Sequence, residues 1–202
     1  MAASRDFVSR KLHSLLGVIP LGLYVTQHLT VNYFATRGPE AFNDAAHFME
    51  SLPYRYLLEI FVIFLPLLFH AIYGVYIAFQ SKNNVSRYGY LRNWMFYLQR
   101  ISGVIVLIFV TWHVWQTRLQ AAMGAEVNFQ MMTDILSNPA MMIFYIVGVL
   151  GTVFHFANGL WSFFVSWGFT VTPKSQRAMT YVTMIIFVAL SVVGMRALFA
   201  FV

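Results

Sequence analysis

The chain has 202 residues, of which 59% are hydrophobic and 10% charged, with a net charge of +6 and no cysteine. Soluble domains carry about 25% charged residues, so a soluble core is excluded, as is an outer-membrane barrel, which shows short alternating segments rather than long apolar runs. Without cysteine there is no disulfide, no thiolate iron–sulfur ligation and no covalent haem attachment.

Met1 to Lys11 is polar, with Arg5, Arg10 and Lys11. A first span is predicted over about 12–31. It reaches the roughly 20 residues that cross a bilayer and lacks the small-residue site of a cleavable signal. A polar loop follows, with Gly38-Pro39 and Pro53. Within it, Glu40 to Leu52 repeats Phe42, Ala46 and Met49 at helical spacing and reads as a surface helix. The second span, about 57–79, holds Pro66 four residues before His70, a position for a kink. A basic segment with Lys82, Arg87 and Arg92 leads to the third span, about 98–117. A second polar loop, Arg118 to Pro139, precedes a long fourth span, about 140–167. A short basic turn with Pro173 precedes the fifth span, about 179–202, which has no histidine. The prediction is an all-α integral membrane bundle of five transmembrane helices, one membrane-anchor domain over residues 1–202.

Five spans put the termini on opposite sides of the bilayer. The N-terminal side then holds Arg5, Arg10, Lys11, Lys82, Arg87, Arg92, Arg100, Lys174 and Arg177, nine of the thirteen basic residues. The other side holds six of the seven acids. Positive charge marks the cytoplasmic side, so the N-terminus is predicted cytoplasmic and the C-terminus outside. This sorting accounts for the basic balance without nucleic acid.

Four histidines lie within the spans. F-H-A-I-Y-G at Phe69 to Gly74 is echoed by F-H-F-A-N-G at Phe154 to Gly159, an offset of 85 residues. His28 in V-T-Q-H and His113 in V-T-W-H are also 85 apart. This offset maps the first two spans onto the next two and suggests a duplicated hairpin. By helical rise, His28 and His113 lie near the outer side, and His70 and His155 in the middle and inner half. Ionisable residues inside a membrane are functional candidates by default. A haem held by two histidines needs one from each of two facing helices at one depth, and the chain offers that twice. Two non-covalent haems are therefore expected, His28 and His113 on one iron, His70 and His155 on the other. Gly74 and Gly159 follow a histidine by four residues, on the same helix face, and are read as clearance for the macrocycle. Thr26 and Thr111, two residues before the outer histidines, are read as helix-packing hydroxyls or as hydrogen-bond partners that orient the ligands or bond the backbone. His47 is read as solvated. His13 opens the first span and suits a propionate, a quinone, a partner subunit or a plain interfacial position.

The stretches R-K-L-H-S-L-L-G-V-I-P, F-H-A-I-Y-G-V-Y, R-N-W-M-F-Y-L-Q-R, V-T-W-H-V-W and F-H-F-A-N-G-L-W resemble the cytochrome b subunit of succinate:menaquinone oxidoreductases, in the form with one five-helix anchor and two haems b. Q-R-I-S-G at Gln99 to Gly103 resembles the R-x-[ST]-G element of complex II anchors. The resemblance covers nearly the whole chain. It implies a flavoprotein that oxidises succinate, an iron–sulfur subunit docked on the cytoplasmic face, and electrons leaving to menaquinone. It assigns His70 and His155 to the proximal haem and His28 and His113 to the distal one, the pairing that depth also gives. The family includes fumarate reductases, which run the reaction the other way. A quinone pocket needs a polar group to handle protons. Glu59, near the outer boundary, is a candidate proton carrier or an interfacial cap. On the inner side Arg10, His13, Ser14, Arg100 and Ser102 are candidates to contact propionates or a quinone.

Two other readings compete. A cytochrome b subunit of another membrane-bound dehydrogenase, such as a hydrogenase or formate dehydrogenase, would carry the same haems on different partners. A proton-coupled transporter would use the histidines as a relay and bind no haem.

Overall fold

A mean hydropathy this high leaves the helices to be solvated by lipid, and five of them are long and apolar enough to cross a membrane. The computed structural model describes residues 2–202, with side chains from residue 6 onward. The side chain of Arg5, counted in the charge sorting above, lies outside the described residues. Helix α1 runs as Ala2–Val18 and Pro20–Asn32, then closes in a 3-10 turn, Tyr33–Arg37. Its ladder is interrupted at Ile19, because Pro20 has no N–H to donate. Helix α2 is Pro39–Glu50, the surface helix expected between the first two spans. Helix α3 is continuous over Arg55–Gln80, α4 over Leu91–Ala122; α5 is Phe129–Leu136, α6 Pro139–Ser166 and α7 Pro173–Phe199.

Several helices begin earlier than their apolar stretches. Helix α4 starts at Leu91 rather than near Leu98, and α7 at Pro173 rather than near Met179. The start of α7 is set by local chemistry. The Thr172 hydroxyl accepts from Ser175 N, the Ser175 hydroxyl accepts from Thr172 N, and Pro173 occupies the first turn. In α6 the Asn138 side chain accepts from the backbone of Ala140 and Met141 ahead of Pro139. The irregularity at Pro66 takes the form of a widened π turn over Glu59–Phe64. A second widened turn, Trp115–Leu119, follows His113 in α4.

Four spans form a ring in which α1 neighbours α3, α3 neighbours α4, α4 neighbours α6 and α6 neighbours α1. Helix α7 lies outside the ring against α6 and α1. The two diagonals, α1 with α4 and α3 with α6, therefore face each other across the interior. One end carries the N-terminus. There Arg10 donates to Gln80 Oε1 at 3.3 Å and Lys11 to the Ser166 carbonyl, tying α1 to the ends of α3 and α6. At the other end α2 and α5 pack over the C-terminus. The Thr133 hydroxyl donates to Phe201 O at 2.8 Å, and the Phe42 ring stands perpendicular to Phe201 at 5.0 Å. The end rich in Lys and Arg is the inner end, the other the outer.

Outward faces are apolar: Phe61, Ile72 and Ile185 are all exposed. A surface of this kind is stable only against hydrocarbon. Between helices the contacts depend on small residues, since burial from lipid supplies little driving force and close backbone approach must. At Gly148 of α6 a Cβ would run into the buried Phe109 ring of α4, and Gly22 seats Phe156 in the same way. Gly148→Ala is expected to destabilise the protein by about 1–3 kcal/mol through overpacking, read as a fall in Tm of the detergent-solubilised chain. An unchanged Tm would show that α4 and α6 have slack at this crossing.

Candidate functional site

The diagonals of the ring bring together the residues that the repeat had matched. The His28 and His113 rings have centres 5.8 Å apart at 73°, across α1 and α4. The His70 and His155 rings are 6.1 Å apart at 90°, across α3 and α6. Ser102 and Gly103, level with His155, precede His113 by about ten residues on α4, which separates the two pairs by about 15 Å along the axis. Among the described residues no group of three or more His, Cys, Asp or Glu side chains could hold a metal ion. What the interior offers is two separate pairs of imidazoles.

The nitrogens of each ring are sorted by their neighbours. His70 Nδ1 donates to the His13 carbonyl at 3.0 Å. His155 Nδ1 lies 3.2 Å from the Gln99 carbonyl and 3.2 Å from Ser102 Oγ. His113 Nδ1 lies 3.3 Å from the Tyr145 hydroxyl. A hydrogen-bonded Nδ1 fixes the tautomer and leaves Nε2 as the free lone pair, the usual preparation of a metal-binding histidine. His28 differs: its Nε2 is 3.4 Å from Asn32 Nδ2, which also donates to the His28 carbonyl at 2.8 Å. Metal–imidazole bonds near 2 Å on both sides of one ion set the ring centres about 6 Å apart, and both pairs meet that spacing. The donor set, its spacing and its second contacts fit an iron held between two histidines.

The inner pair sits in a polar collar that the sequence reading had found only in part. Gln99 is its hub: its Nε2 donates to His155 O at 3.0 Å, while Asn158 Nδ2 donates to Gln99 Oε1 at 2.7 Å and to Met95 O at 3.0 Å. Ser102 is buried against His155. His13 stacks on His70 at 4.0 Å and 7°, with its Nε2 buried and without a hydrogen-bond partner among the described residues. Ser14 follows it on the same helix, half-buried. Arg100 is held over the Phe96 ring, 3.2 Å from its centre, and donates to Ser81 Oγ at 2.9 Å. Arg10 is committed to Asp6 at 2.8 Å, which also accepts from Tyr73 at 2.8 Å.

Gly74 and Gly159 both face polar side chains. A Cβ on Gly74 would stand 3.1 Å from His13 Nε2, and one on Gly159 3.3 Å from Gln99 Nε2. Each lies under a side chain of a neighbouring helix. The histidine rings themselves rest on Gly17 and Gly103. A Cβ on Gly17 would stand 2.5 Å from His70 Cε1, and one on Gly103 3.1 Å from His155 Cε1. Sequence reasoning missed both, although the repeat carries a signal: Gly17-Val18-Ile19 and Gly103-Val104-Ile105 precede the two V-T-x-H motifs. The first motif has one residue more between glycine and histidine, and the interruption of α1 at Ile19 lies within that interval. Thr26 and Thr111 bond back to Gly22 O and Leu107 O of their own helices, at 2.9 and 2.7 Å. His47 is exposed on α2.

Glu59 is paired. Arg118 donates to its Oε2 through Nε at 3.0 Å and Nη2 at 2.7 Å, and Arg55 Nε lies 3.6 Å from Oε1. Glu59 and Arg118 each sit in one of the two widened turns, on adjoining helices. The interfacial reading gains from this, and the carboxylate is not free to swing. Arg118→Ala leaves a half-buried carboxylate with one counter-charge fewer and is expected to cost about 1–3 kcal/mol. A double-mutant cycle with Glu59→Gln, read by thermal unfolding, should recover most of that as coupling. Additive losses would show the pair to be unimportant.

Against known proteins, a family model described as the succinate dehydrogenase/fumarate reductase transmembrane subunit matches residues 81–194. The chain is also 69% identical over 202 residues to the succinate dehydrogenase cytochrome b558 subunit of Bacillus subtilis (strain 168), an alignment covering 100% of both sequences.

Proposed function

The chain belongs to the family of succinate dehydrogenase/fumarate reductase transmembrane subunits, and from that premise we propose how its residues serve the complex. It is a multi-pass membrane protein and the cytochrome b anchor of an oxidoreductase complex. All 202 residues act as one membrane-anchor unit, with no succinate chemistry of its own. His70 and His155 hold an inner haem b, and His28 and His113 an outer one. Bound in this way, the two haems supply a one-electron relay between an iron–sulfur partner and menaquinone. With two histidines on each iron, neither haem would have a position open to oxygen or substrate.

The observation that carries this reading is the sorting of nitrogens: three of the four histidines have Nδ1 engaged, and each faces its partner at the spacing an intervening iron requires. The side chains do the rest. The His13 and Gln99 carbonyls orient the inner imidazoles. Arg100, with Ser81 as its side-chain partner, is placed to meet a carboxylate at the inner boundary. The apolar walls keep water from both pairs.

The N-terminus is cytoplasmic, because nine of thirteen basic residues gather on its side. The iron–sulfur subunit, and the flavoprotein beyond it, dock on that face. The physiological direction is succinate oxidation, in keeping with the name of the Bacillus subtilis relative.

A redox titration of the purified complex, with its co-purifying subunits identified, tests this. Two b-type components, a flavoprotein and an iron–sulfur protein, and succinate-dependent dye reduction are expected. A single b-type component, or a reduced-minus-oxidised spectrum without b bands, would sink the two-haem reading. A hydrogenase or formate dehydrogenase subunit in place of the flavoprotein would sink the assignment of partners.

A further inference from the structure

We propose that Tyr145 is a positioning residue for His113, holding the imidazole in the tautomer and orientation in which its Nε2 faces His28. The inference rests on His113 being an axial ligand of the outer haem. It goes further by naming what sets that ligand's electronic character.

Tyr145 is 2% exposed, on α6, inside the cluster of Phe42, Leu136, Leu198 and Phe201 that closes the outer end of the bundle. A buried phenol needs a partner for its hydroxyl. The oxygen lies 3.3 Å from His113 Nδ1, and the hydroxyl donates to Gln116 Oε1 at 3.2 Å. The proton of the phenol is thus committed to Gln116, and its lone pairs are left to accept from His113 Nδ1–H. The chain runs in one direction, imidazole to phenol to amide. Phe109 backs it from the other side, stacked on His113 at 5.7 Å and perpendicular to Tyr145 at 5.3 Å. The imidazole has little freedom to turn.

The two pairs differ here in kind. Each inner imidazole meets a main-chain carbonyl, of His13 or of Gln99, which no substitution removes, and at His155 the Ser102 hydroxyl lies beside that carbonyl at 3.2 Å from Nδ1. The outer His113 relies on a side chain. An acceptor on Nδ1–H pushes electron density onto Nε2, which favours ferric over ferrous iron. The outer site is therefore the one whose ligand depends on a hydroxyl with no main-chain acceptor beside it among the described residues, and Gln116 acts through it by strengthening the phenol oxygen as an acceptor.

The test uses the whole complex. In Tyr145→Phe the ring and its packing stay and the acceptor goes. The outer haem's midpoint should rise by roughly a tenfold change in its oxidised-to-reduced ratio, about 59 mV for one electron, and its low-temperature spin-resonance signal should broaden as the imidazole gains freedom. The inner haem should titrate as before. Gln116→Leu should shift the outer midpoint the same way by less, which keeps the idea testable if Tyr145→Phe assembles poorly. Two haems with unchanged midpoints in both variants would overturn the role of Tyr145 while leaving the ligand assignment standing. A shift confined to the inner haem would overturn it as well. Loss of the inner rather than the outer haem in His113→Ala would overturn the ligand assignment itself.

Discussion

In His70→Ala or His155→Ala, one b-type component disappears and the other stays; in His28→Ala or His113→Ala the losses are exchanged. This is the largest effect the structure predicts. It follows from the diagonal arrangement of the ring, because each pair draws on two helices that the other pair does not use. Removing one imidazole would leave an iron held there with one protein ligand in an apolar interior, where the spans hold no spare histidine. His13 is the nearest exception, stacked on His70 at 4.0 Å with a free Nε2, so His70→Ala is the variant in which a partial replacement ligand should be sought. The reduced-minus-oxidised amplitude should fall to about half in each single variant, and the surviving midpoint should sort the four variants into two groups of two. His47→Ala, on the exposed face of α2, is the control and should keep both components. If His28 and His70 variants lost the same component, the pairing across the diagonals would be wrong.

Much of this was legible in the sequence because it depends on periodicity along single helices. The spans, the surface helix after Pro39 and the four histidines follow from apolar runs and a repeated motif. Relations between helices were less accessible. The i, i+4 argument put clearance at Gly74 and Gly159 because it could see only neighbours on one helix. It could not see that the histidine rings themselves rest on Gly17 and Gly103, across to helices α1 and α4. Which helix faces which is a property of the ring order, and no local pattern encodes it. Glu59 shows the same limit. Its partner Arg118 is 59 residues away, and the two meet because both helices widen by a turn at the same level. Helix starts were placed late for another reason. Hydropathy sees where the apolar run begins, whereas Thr172-Pro173, with Ser175, sets the hydrogen-bonding start of α7 through its side chains.

Gly17→Ala carries the second large effect, and it tests a contact that the repeat alone would rank equal with its counterpart. A methyl at this position stands 2.5 Å from His70 Cε1 and 2.9 Å from His70 Nδ1, well inside contact distance. The methyl is on a helix and cannot retreat, so the imidazole must. Yet the imidazole is tethered on the same side, by Nδ1 to the His13 carbonyl at 3.0 Å and by stacking on the His13 ring. Moving it breaks that bond and swings Nε2 off the line to His155. Gly103→Ala is the matched control: its methyl meets His155 Cε1 at 3.1 Å and Nδ1 at 3.6 Å, a contact that a few tenths of an ångström relieves. The two glycines hold like places in the two halves, one residue out of register, but their variants should differ. Gly17→Ala should lose most of the inner haem, an affinity loss of about 10–100-fold or more, as for other changes that misdirect a ligand. Gly103→Ala should retain it with a shifted spectrum, and both should keep the outer haem. The Gly17→Ala chain should still insert and assemble, since His70 can rotate away at a cost of roughly 1–3 kcal/mol, and its haem content per assembled complex is the quantity to measure. Full inner-haem occupancy in that variant would mean that α1 moves outward to admit the methyl. The hydrogen bond from His70 to His13 would then be carried along with the helix and would no longer be the restraint that fixes the ring.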